Sequence, residues 1–217
     1  MRTLTLASAL VGLAGLSALA GCAQAEQLAR DAIAGYANRP APATDDTPRD
    51  YRTSQGAAIR FPLGAVAFAD RVERFDQTRS ISETYSDPWS AVGPPDYSGN
   101  AECTRPNCST TLTSGGVLVV EFTNNTLYDG PGDDIAIFEV GPDIESTTVE
   151  ISVDGRDYIA LGTVRGSSAT LDIAGRGPTG AQYRFVRLTD DPTQGDAGGT
   201  TPGADIDAVG AIHAEKR

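Results

Sequence analysis

The spacing of apolar residues divides the chain into three parts. A mostly apolar run extends from Leu4 to Ala20, and the following segment, Ala23–Tyr36, has the apolar spacing of a short amphipathic helix. From Ile59 onward, apolar residues instead occur in short runs that end at Gly, Pro, Asn, Asp or Ser. This pattern predicts an apolar leader, a short helix and a domain built from β-strands.

Eight segments of the C-terminal part have the residue types of β-strands. They are Val66–Phe75, Gly116–Thr123, Asp134–Val140, Thr147–Val153, Tyr158–Val164, Ser168–Ile173, Gln182–Thr189 and Ala208–Ala214. In the fourth segment, Val149, Ile151 and Val153 alternate with polar residues, as a half-buried strand requires. About eight short strands joined by tight turns predict an all-β fold, a β-sandwich of the jelly-roll type, over residues 59–217.

The composition agrees with an all-β domain and narrows the choice of partners. The 217 residues include 24 Gly and 13 Pro, and helix-forming residues are scarce after about Tyr36. The formal net charge of −12 repels phosphate backbones, so no nucleic acid is expected as a partner. It also repels anionic lipid headgroups, so contact with a membrane requires a specific anchor. The same acidity suits divalent cations, although it also simply keeps a protein soluble.

The N-terminus has the features of a secretory signal peptide. Met1-Arg2-Thr3 supplies a positive charge, the apolar run follows, and small residues precede Cys22. The alternative, a retained transmembrane helix, needs about 20 predominantly apolar residues, and this Ala- and Gly-rich run is marginal in length and hydrophobicity. Leu19-Ala20-Gly21-Cys22 resembles the bacterial lipobox. The resemblance implies that residues 1–21 are removed and that Cys22 is acylated by several chains, which gives a stable anchor.

The residues that follow Cys22 bear on location. Ala23, rather than Asp, comes next, which by analogy with enterobacterial sorting favours the outer membrane. Residues 22–58 then include a stretch rich in Pro, Ala, Thr and charge, from Asn38 to Ala58, without apolar periodicity. Such a stretch is predicted to be a flexible linker. We therefore expect an exported protein that is lipid-anchored to a membrane and faces the periplasm or the cell surface.

Two cysteines remain after Cys22. Cys103 and Cys108 are separated by four residues, and an even pair in an exported chain favours a disulfide. The Pro and Asn between them favour the turn that would bring the sulfurs together. The alternative, a zinc site, needs about four ligands, and His213 is the only histidine in the sequence.

Two acidic segments are candidates for metal binding. In the first, Gly130-Pro131-Gly132 favours a tight turn that places Asp129, Asp133 and Asp134 beside the start of a strand. Crowded carboxylates repel one another unless they share a cation, and calcium accepts about 6–8 oxygen ligands from flexible loops. The spacing is not that of an EF-hand loop. The alternative is a solvated turn whose carboxylates bind local backbone amides.

The second acidic segment contains Thr189-Asp190-Asp191, then a Gly-rich loop, then Pro202–Gly210. Within Pro202–Gly210, Asp205 and Asp207 stand two residues apart before the last predicted strand. If a strand begins there, both point to one face while Ile206 points to the other. If that face is the core, the carboxylates need backbone hydrogen bonds or a metal to offset their burial. The alternative is a solvated strand entrance. Asp70, on the first predicted strand, joins them if the first and last strands pair.

Three aromatic residues are candidates for ligand binding. Trp89 is the only tryptophan, and Tyr85 and Tyr97 flank it. Exposed rings of this kind stack on sugar faces. A buried Trp89 would instead close one end of the sandwich, and this interpretation is favoured for Trp89. No motif supports catalysis, because no Gly-x-Ser-x-Gly run occurs and His213 has no paired nucleophile.

Six segments together resemble a bacterial cell-surface domain of the galactose-binding, discoidin-like jelly-roll type. They are Phe68–Val72, Trp89–Tyr97, Gly115–Phe122, Asp129–Val140, Val149–Gly155 and Pro202–Ile212. The resemblance extends from about Ala65 to Ala214. It implies a domain that often carries structural calcium and that binds glycans, peptides or lipid headgroups through loops at one end.

These observations predict a lipid-anchored binding module, stabilised by calcium, that recognises a glycan or another extracytoplasmic ligand. The alternative is a structural envelope lipoprotein that binds neighbouring proteins and no small ligand. A further alternative is an enzyme that acts on glycosides, since paired carboxylates hydrolyse such bonds. Because no sequence motif supports that chemistry, catalysis is not expected.

Overall fold

The computed structural model describes residues 40–97, 108–140, 145–165, 169–194 and 199–217. Within these ranges the chain forms 14 strands and two short 3-10 turns, Gly64–Ala67 and Pro88–Ala91. The strands are β1 Arg49–Arg52, β2 Ala58–Phe61, β3 Arg71–Asp76, β4 Thr110–Thr111, β5 Val117–Glu121, β6 Asn125–Tyr128, β7 Ile135–Glu139, β8 Thr147–Ser152, β9 Ile159–Val164, β10 Thr170–Leu171, β11 Gln182–Tyr183, β12 Phe185–Asp190, β13 Asp205–Ala211 and β14 Ala214–Lys216. No helix in these ranges has the length and apolar character needed to span a bilayer.

Two antiparallel sheets form a sandwich. One has the strand order β3-β5-β12-β8-β9 and the other has the order β10-β7-β13-β4, while a smaller sheet, β11-β6-β14, lies beside them. Alternate side chains of the first sheet, including Leu118, Ile151 and Val186, join Ile137 and Val209 of the second in one buried cluster. Removing this apolar surface from water is the dominant favourable contribution to folding. The predicted all-β sandwich is confirmed.

The number of strands exceeds the predicted number of about eight. Strand β4 has two residues, and β1 and β2 have four each. Segments this short do not show a clear alternation of apolar and polar positions. The first predicted strand, Val66–Phe75, begins later than expected, at Arg71, because Gly64–Ala67 forms a 3-10 turn.

The hairpin of β1 and β2 covers the outer face of the four-stranded sheet. Phe61 of this hairpin packs on Phe68 with ring centroids 4.7 Å apart, and Phe68 packs on Phe138 of β7 at 5.7 Å. Tyr51 completes the cluster, with its ring 4.8 Å from that of Phe68. Aromatic pairs of this kind contribute about 0.5–1.5 kcal/mol beyond the area that they bury.

Because of this hairpin, the folded domain starts earlier in the chain than the sequence predicts. The sequence predicts a flexible linker over residues 22–58, but β1 lies inside that range and β2 begins at its end, so the folded domain starts before residue 59. The reason is local, because Tyr51 stands among charged residues. One apolar residue in such a setting produces no periodicity, yet it is enough to join an aromatic cluster.

Several predicted features lie outside the described residues. They are the signal peptide over residues 1–21, the acylated Cys22 and the residue Cys103. Cys108 is described and is completely buried. Its disulfide with Cys103 stays a prediction.

Strand β7 connects two ends of the sandwich that hold most of the predicted acidic residues. Asp134 immediately precedes this strand and Glu139 ends it. At about 3.4 Å per residue, the two residues are about 17 Å apart along the strand. Strand β13 runs antiparallel beside β7, so Asp205 lies at the Glu139 end and His213 at the Asp134 end.

Candidate functional site

The predicted metal ligands are distributed over three places. The first acidic segment lies at the start of β7 and the second at the start of β13. Asp70 lies apart from both, since its Oδ1 accepts a hydrogen bond from Thr123 Oγ1 at 2.6 Å, and burial raises the pKa of Asp70. The first predicted strand makes one bridge to the last, Phe68 to Gly210, and then pairs with β5. Asp70 accepts its hydrogen bonds from Thr123 and Asn124, and among the described residues no hydrogen bond joins it to the second acidic segment.

Asp134 is completely buried, and each of its carboxylate oxygens has a partner. Its Oδ1 accepts the N–H of Gly130 at 2.7 Å and lies 2.8 Å from His213 Nδ1, while its Oδ2 accepts the N–H of Ile173 at 2.7 Å. Hydrogen bonds from backbone donors compensate the carboxylate for its lost hydration. Gly130 permits this arrangement, because a Cβ at that position would overlap the His213 ring. Asp134 thus ties three segments of the chain together.

Two further carboxylates lie beside Asp134. One oxygen each of Asp129, Asp134 and Asp172 falls within 4.8 Å of the others. Asp133 is instead exposed and bonds to Thr170 Oγ1. Of the three residues predicted in this segment, the structure therefore brings Asp129 and Asp134 together and adds Asp172, which the sequence analysis missed.

Five acidic residues gather at the opposite end, where β7 and β12 end and β8 and β13 begin. We call this group the carboxylate end, and its members are Glu139, Glu145, Asp190, Asp205 and Asp207. The charge of Glu145 acts on three of the others, Glu139, Asp190 and Asp205, although among the described residues no three of these carboxylates have oxygens that all lie within 4.8 Å of one another. No ion pair to Lys or Arg involves any of the five among the described residues.

Glu139 and Glu145 form the most crowded pair of this group. Glu139 is 4% exposed, and its Oε1 accepts the backbone N–H of Glu145 at 2.9 Å. Its Oε2 receives no hydrogen bond from any donor in the described part of the chain. The pKa of Glu139 is raised to about 10, first by burial and then by the Glu145 carboxyl, which is near enough to share a proton with it.

The two acids of β13 are held against polar partners while Ile206 between them joins the main core. Asp205 Oδ1 bonds to Thr111 Oγ1, and burial raises the pKa of Asp205 to about 7. Asp207 stands at a β-bulge, and burial followed by the Asp96 carboxylate raises the pKa of Asp207 to about 7. Bulges of this kind re-aim side chains and are frequent beside functional sites.

Asp190 ends β12 and is better compensated than the acids of β13. Its Oδ1 accepts the N–H of Ala204 at 2.8 Å and its Oδ2 accepts that of Gly115 at 3.2 Å. Burial nevertheless raises the pKa of Asp190 to about 6. Gly203 has a φ of +94°, and a Cβ there would lie 2.8 Å from Asp190 Oδ2, so this close approach requires glycine.

Two of the predicted ligand-binding aromatics lie at the carboxylate end. The backbone oxygen of Tyr85 accepts the N–H of Thr111, whose hydroxyl bonds to Asp205. The N–H of Tyr97 bonds to the Asp207 carboxylate. Both tyrosines are half-buried, and the pKa of Tyr97 is raised by burial and then by Tyr85, Asp205 and Asp207. The structure thus brings together residues that the sequence analysis considered separately.

Trp89 differs from these tyrosines. It is 4% exposed and belongs to the main hydrophobic cluster, on the 3-10 turn that Asp87 caps by accepting the Trp89 N–H at 3.1 Å. Its ring therefore presents no open face for a sugar in this structure. The alternative interpretation, that Trp89 fills the interior near one end of the sandwich, fits its burial.

Two acids of the carboxylate end, Glu139 and Glu145, were missed in the sequence. Glu139 ends a strand that is otherwise entirely apolar, Ile135–Phe138, and a charged residue in such a strand is a signal that was available. Glu145 stands in polar surroundings, where an acid carries no such signal, and Asp190 belongs to the second acidic segment but was not assigned as a ligand. Their grouping depends on β8 and β12 being neighbours, which the local sequence does not specify.

Comparisons with known proteins provide a fold-level neighbour of low similarity. No protein-family model and no curated protein matches this sequence. Among solved structures, the chain is similar to the C-terminal domain of a chitobiase from Bacteroides fragilis, with 13% identity and a TM-score of 0.39. That match covers 71% of this chain and 98% of the other. A similarity this low carries no argument about function.

Proposed function

We propose that this protein is an exported, lipid-anchored binding module that recognises a glycan at the carboxylate end of its sandwich. The observation that supports this most is the convergence of Tyr85 and Tyr97 with Asp205 and Asp207 at one end of the domain. Ligand sites commonly combine an apolar or aromatic lining with a few convergent polar groups.

The chemistry of sugars suits this arrangement. A pyranose has an apolar face that packs on an aromatic ring, and hydroxyl groups that donate hydrogen bonds to carboxylates. Half-buried tyrosines are already ordered, so their rings lose little conformational entropy on binding. Acids beside the rings would then select ligands with hydroxyl donors in matching positions.

The proposal includes three features that concern the chain as a whole. The lipobox-like Leu19-Ala20-Gly21-Cys22 supports acylation of Cys22 and anchoring to a membrane, with the outer membrane favoured. The buried acids of the carboxylate end, which have no Lys or Arg partner among the described residues, support stabilisation by calcium. The pair Cys103 and Cys108 supports a disulfide that cross-links one loop.

Glycan recognition can be tested with a glycan array probed with the full-length protein in detergent. We expect a set of related glycans to bind, and we expect Tyr97→Ala to weaken the best of them by about tenfold, which corresponds to about 1.4 kcal/mol. Tyr158→Ala is the matched control, because Tyr158 stacks at 4.0 Å on Arg187 of the five-stranded sheet, whose neighbours Val186 and Leu188 face the core. Equal loss in both variants would contradict a site at the carboxylate end.

The same preparation discriminates the alternative function. If no glycan binds and envelope proteins co-purify specifically, the chain is a structural lipoprotein that binds its neighbours. Retention of that co-purification in Tyr97→Ala would then separate the protein interface from the carboxylate end.

The anchor is tested by intact-mass analysis of protein isolated from membranes. We expect loss of residues 1–21 and a mass increase for acyl chains on Cys22. Cys22→Ser should remain unacylated and should leave the membrane fraction. A native protein that keeps its leader, or has an unmodified Cys22, would contradict this part of the proposal.

A further inference from the structure

We propose that the end of the sandwich opposite the carboxylate end faces the membrane, so that the carboxylate end points away from the bilayer. This inference rests on the lipid anchor of the proposed function and deepens it, because it gives the anchored domain one orientation. A domain that bound lipid headgroups through its ligand-binding end would have the reverse orientation.

The segment that precedes β1 joins the domain at a defined place. The backbone oxygen of Ala43 accepts a hydrogen bond from Asn124 Nδ2 at 2.9 Å, and the carboxylate of Asp46 pairs with Lys216. Asn124 immediately precedes β6, and Lys216 lies on β14, which pairs with β6. We call this place the tether end, and its members are Ala43, Asp46, Asn124 and Lys216.

Backbone contacts hold the same segment against the domain. The backbone oxygen of Asp45 accepts the N–H of Ala65 at 2.9 Å, in the first 3-10 turn. Gly64 of that turn has a φ of +52°, and a Cβ there would lie 2.3 Å from the backbone oxygen of Thr47. This close approach requires glycine, so the segment is a built part of the folded domain.

The tether end and the carboxylate end lie at opposite ends of β5. The strand begins beside the carboxylate end, because the N–H of Asp190 donates to the backbone oxygen of Gly116 at 3.0 Å. It ends at Glu121, and Asn124 follows three residues later. The strand alone covers about 17 Å, at about 3.4 Å per residue.

The place of attachment decides which end is nearer to the bilayer. Residues 23–42, which lie between Cys22 and the tether end, can span about 70 Å when fully extended and about 25 Å as a flexible coil. A tether of either length pulls on one end of the domain only. That end is therefore, on average, the end nearer to the membrane.

The charges of the two ends fit this orientation. At the tether end Lys216 pairs with Asp46, and the nearby Arg184 pairs with Glu121. The acids of the carboxylate end have no ion pair to Lys or Arg among the described residues. An anionic membrane surface repels unpaired acids within a Debye length of about 8–10 Å, so it disfavours the carboxylate end.

The test compares fluorophores at the two ends of the anchored protein. Lys216 is the only lysine in the sequence, so Lys216→Arg removes it and keeps a positive charge beside Asp46. On that background, Glu215→Lys places an amine at the tether end and Thr193→Lys places one three residues after Asp190. Both positions are exposed, and each substitution removes one exposed hydrogen bond, so the two proteins are matched. Lys216→Arg alone reports any labelling of the α-amine.

Acylated protein from membranes is labelled and placed in phosphatidylcholine vesicles that carry an energy-transfer acceptor on their headgroups. We expect a larger loss of donor fluorescence from position 215 than from position 193, because energy transfer falls steeply with distance. The same order is expected when the vesicles also contain phosphatidylglycerol. Cys22→Ser should show no transfer from either label.

Three results would overturn the inference. They are equal transfer from the two labels, greater transfer from position 193, and undiminished transfer in Cys22→Ser, which would mean that the domain binds lipid without its anchor. If the native protein has no acyl chains, the anchor of the proposed function fails instead. The orientation is then measured after the Cys22 thiol of the full chain is coupled to a maleimide lipid, and the same order of transfer is expected.

Discussion

The two ends of β7 carry buried acids whose surroundings differ. Asp134 is 0% exposed and has backbone N–H donors on both oxygens, with His213 Nδ1 2.8 Å away. Glu139 is 4% exposed, its Oε2 has no donor among the described residues, and its charged neighbours are acids. Burial is nearly equal, so the difference lies in what the protein supplies to each carboxylate.

This difference separates a structural role from a binding role. A carboxylate that receives several hydrogen bonds is already compensated for its lost water, and removing it leaves those donors unsatisfied. A carboxylate that meets other acids must acquire a proton or a cation. Asp134 is therefore expected to hold the fold together, and Glu139 to hold a proton or a cation. The following changes test that distinction.

The largest effect is expected for Asp134→Ala. The change leaves the N–H groups of Gly130 and Ile173 without their hydrogen-bond acceptor and removes the partner of His213. Such losses destabilise by about 3–5 kcal/mol. In Asp134→Ala the free energy of unfolding, measured by urea denaturation in EDTA, should fall by that amount. In Glu139→Gln the same free energy should fall little or rise. A loss in Asp134→Ala no larger than that in Glu139→Gln would remove the distinction between the two ends.

The next effect concerns pH, in EDTA and without added cation. The pKa values of Asp205 and Asp207 are raised from 3.8 to about 7 in the folded protein, so the folded state binds protons more tightly than the unfolded state. The stability that this linkage provides is fully present below about pH 4 and is lost as the pH rises through about 7. Urea denaturation should show a loss on the order of 3 kcal/mol between about pH 5 and about pH 8.

Asp205→Asn provides the control for this pH dependence. The amide does not titrate, so the loss of stability between the two pH values should shrink in the variant. A pH profile that is identical in the variant would show that other groups carry the dependence.

The smallest effect is expected for His213→Ala. His213 is 22% exposed and lies beside one oxygen of Asp134, which keeps its backbone donors without the ring. Loss of one hydrogen bond to a charged group costs about 1.5–3 kcal/mol. Because His213 is partly exposed, we expect the loss of stability in His213→Ala to lie at the lower end of this range. A double-mutant cycle with Asp134→Asn measures the coupling directly. Coupling near zero would mean that the ring contributes through packing on Tyr128 instead, 5.9 Å away.

The acidic turn shows what local sequence can and cannot predict. Gly130-Pro131-Gly132 and the strand that follows are short-range features, so the turn, the strand and the position of Asp134 before it could all be predicted. The partners of Asp134 are Ile173 and His213, which come from distant parts of the chain. No local pattern contains them, so the choice between a metal ligand and a structural carboxylate needed the fold.

At the β1–β2 hairpin, the sequence led to a prediction of too little structure. Tyr51 was assigned to a flexible linker because its neighbours are charged, yet its ring packs on that of Phe68 in a T-shaped arrangement. Whether a lone aromatic residue is buried depends on a complementary surface elsewhere, in this case the outer face of β7.

The sequence by itself determined the all-β class, the approximate place of most strands in the two main sheets and the acidic character of two segments. These depend on residue types and spacings within about ten positions, which is the range over which strand alternation and turns act. Only the tertiary structure decided that Glu139 is buried beside another acid, Glu145, and that each carboxylate oxygen of Asp134 has a partner. Strand pairing brings distant residues together, and it is the resulting supply of hydrogen-bond donors that decides what a buried carboxylate does.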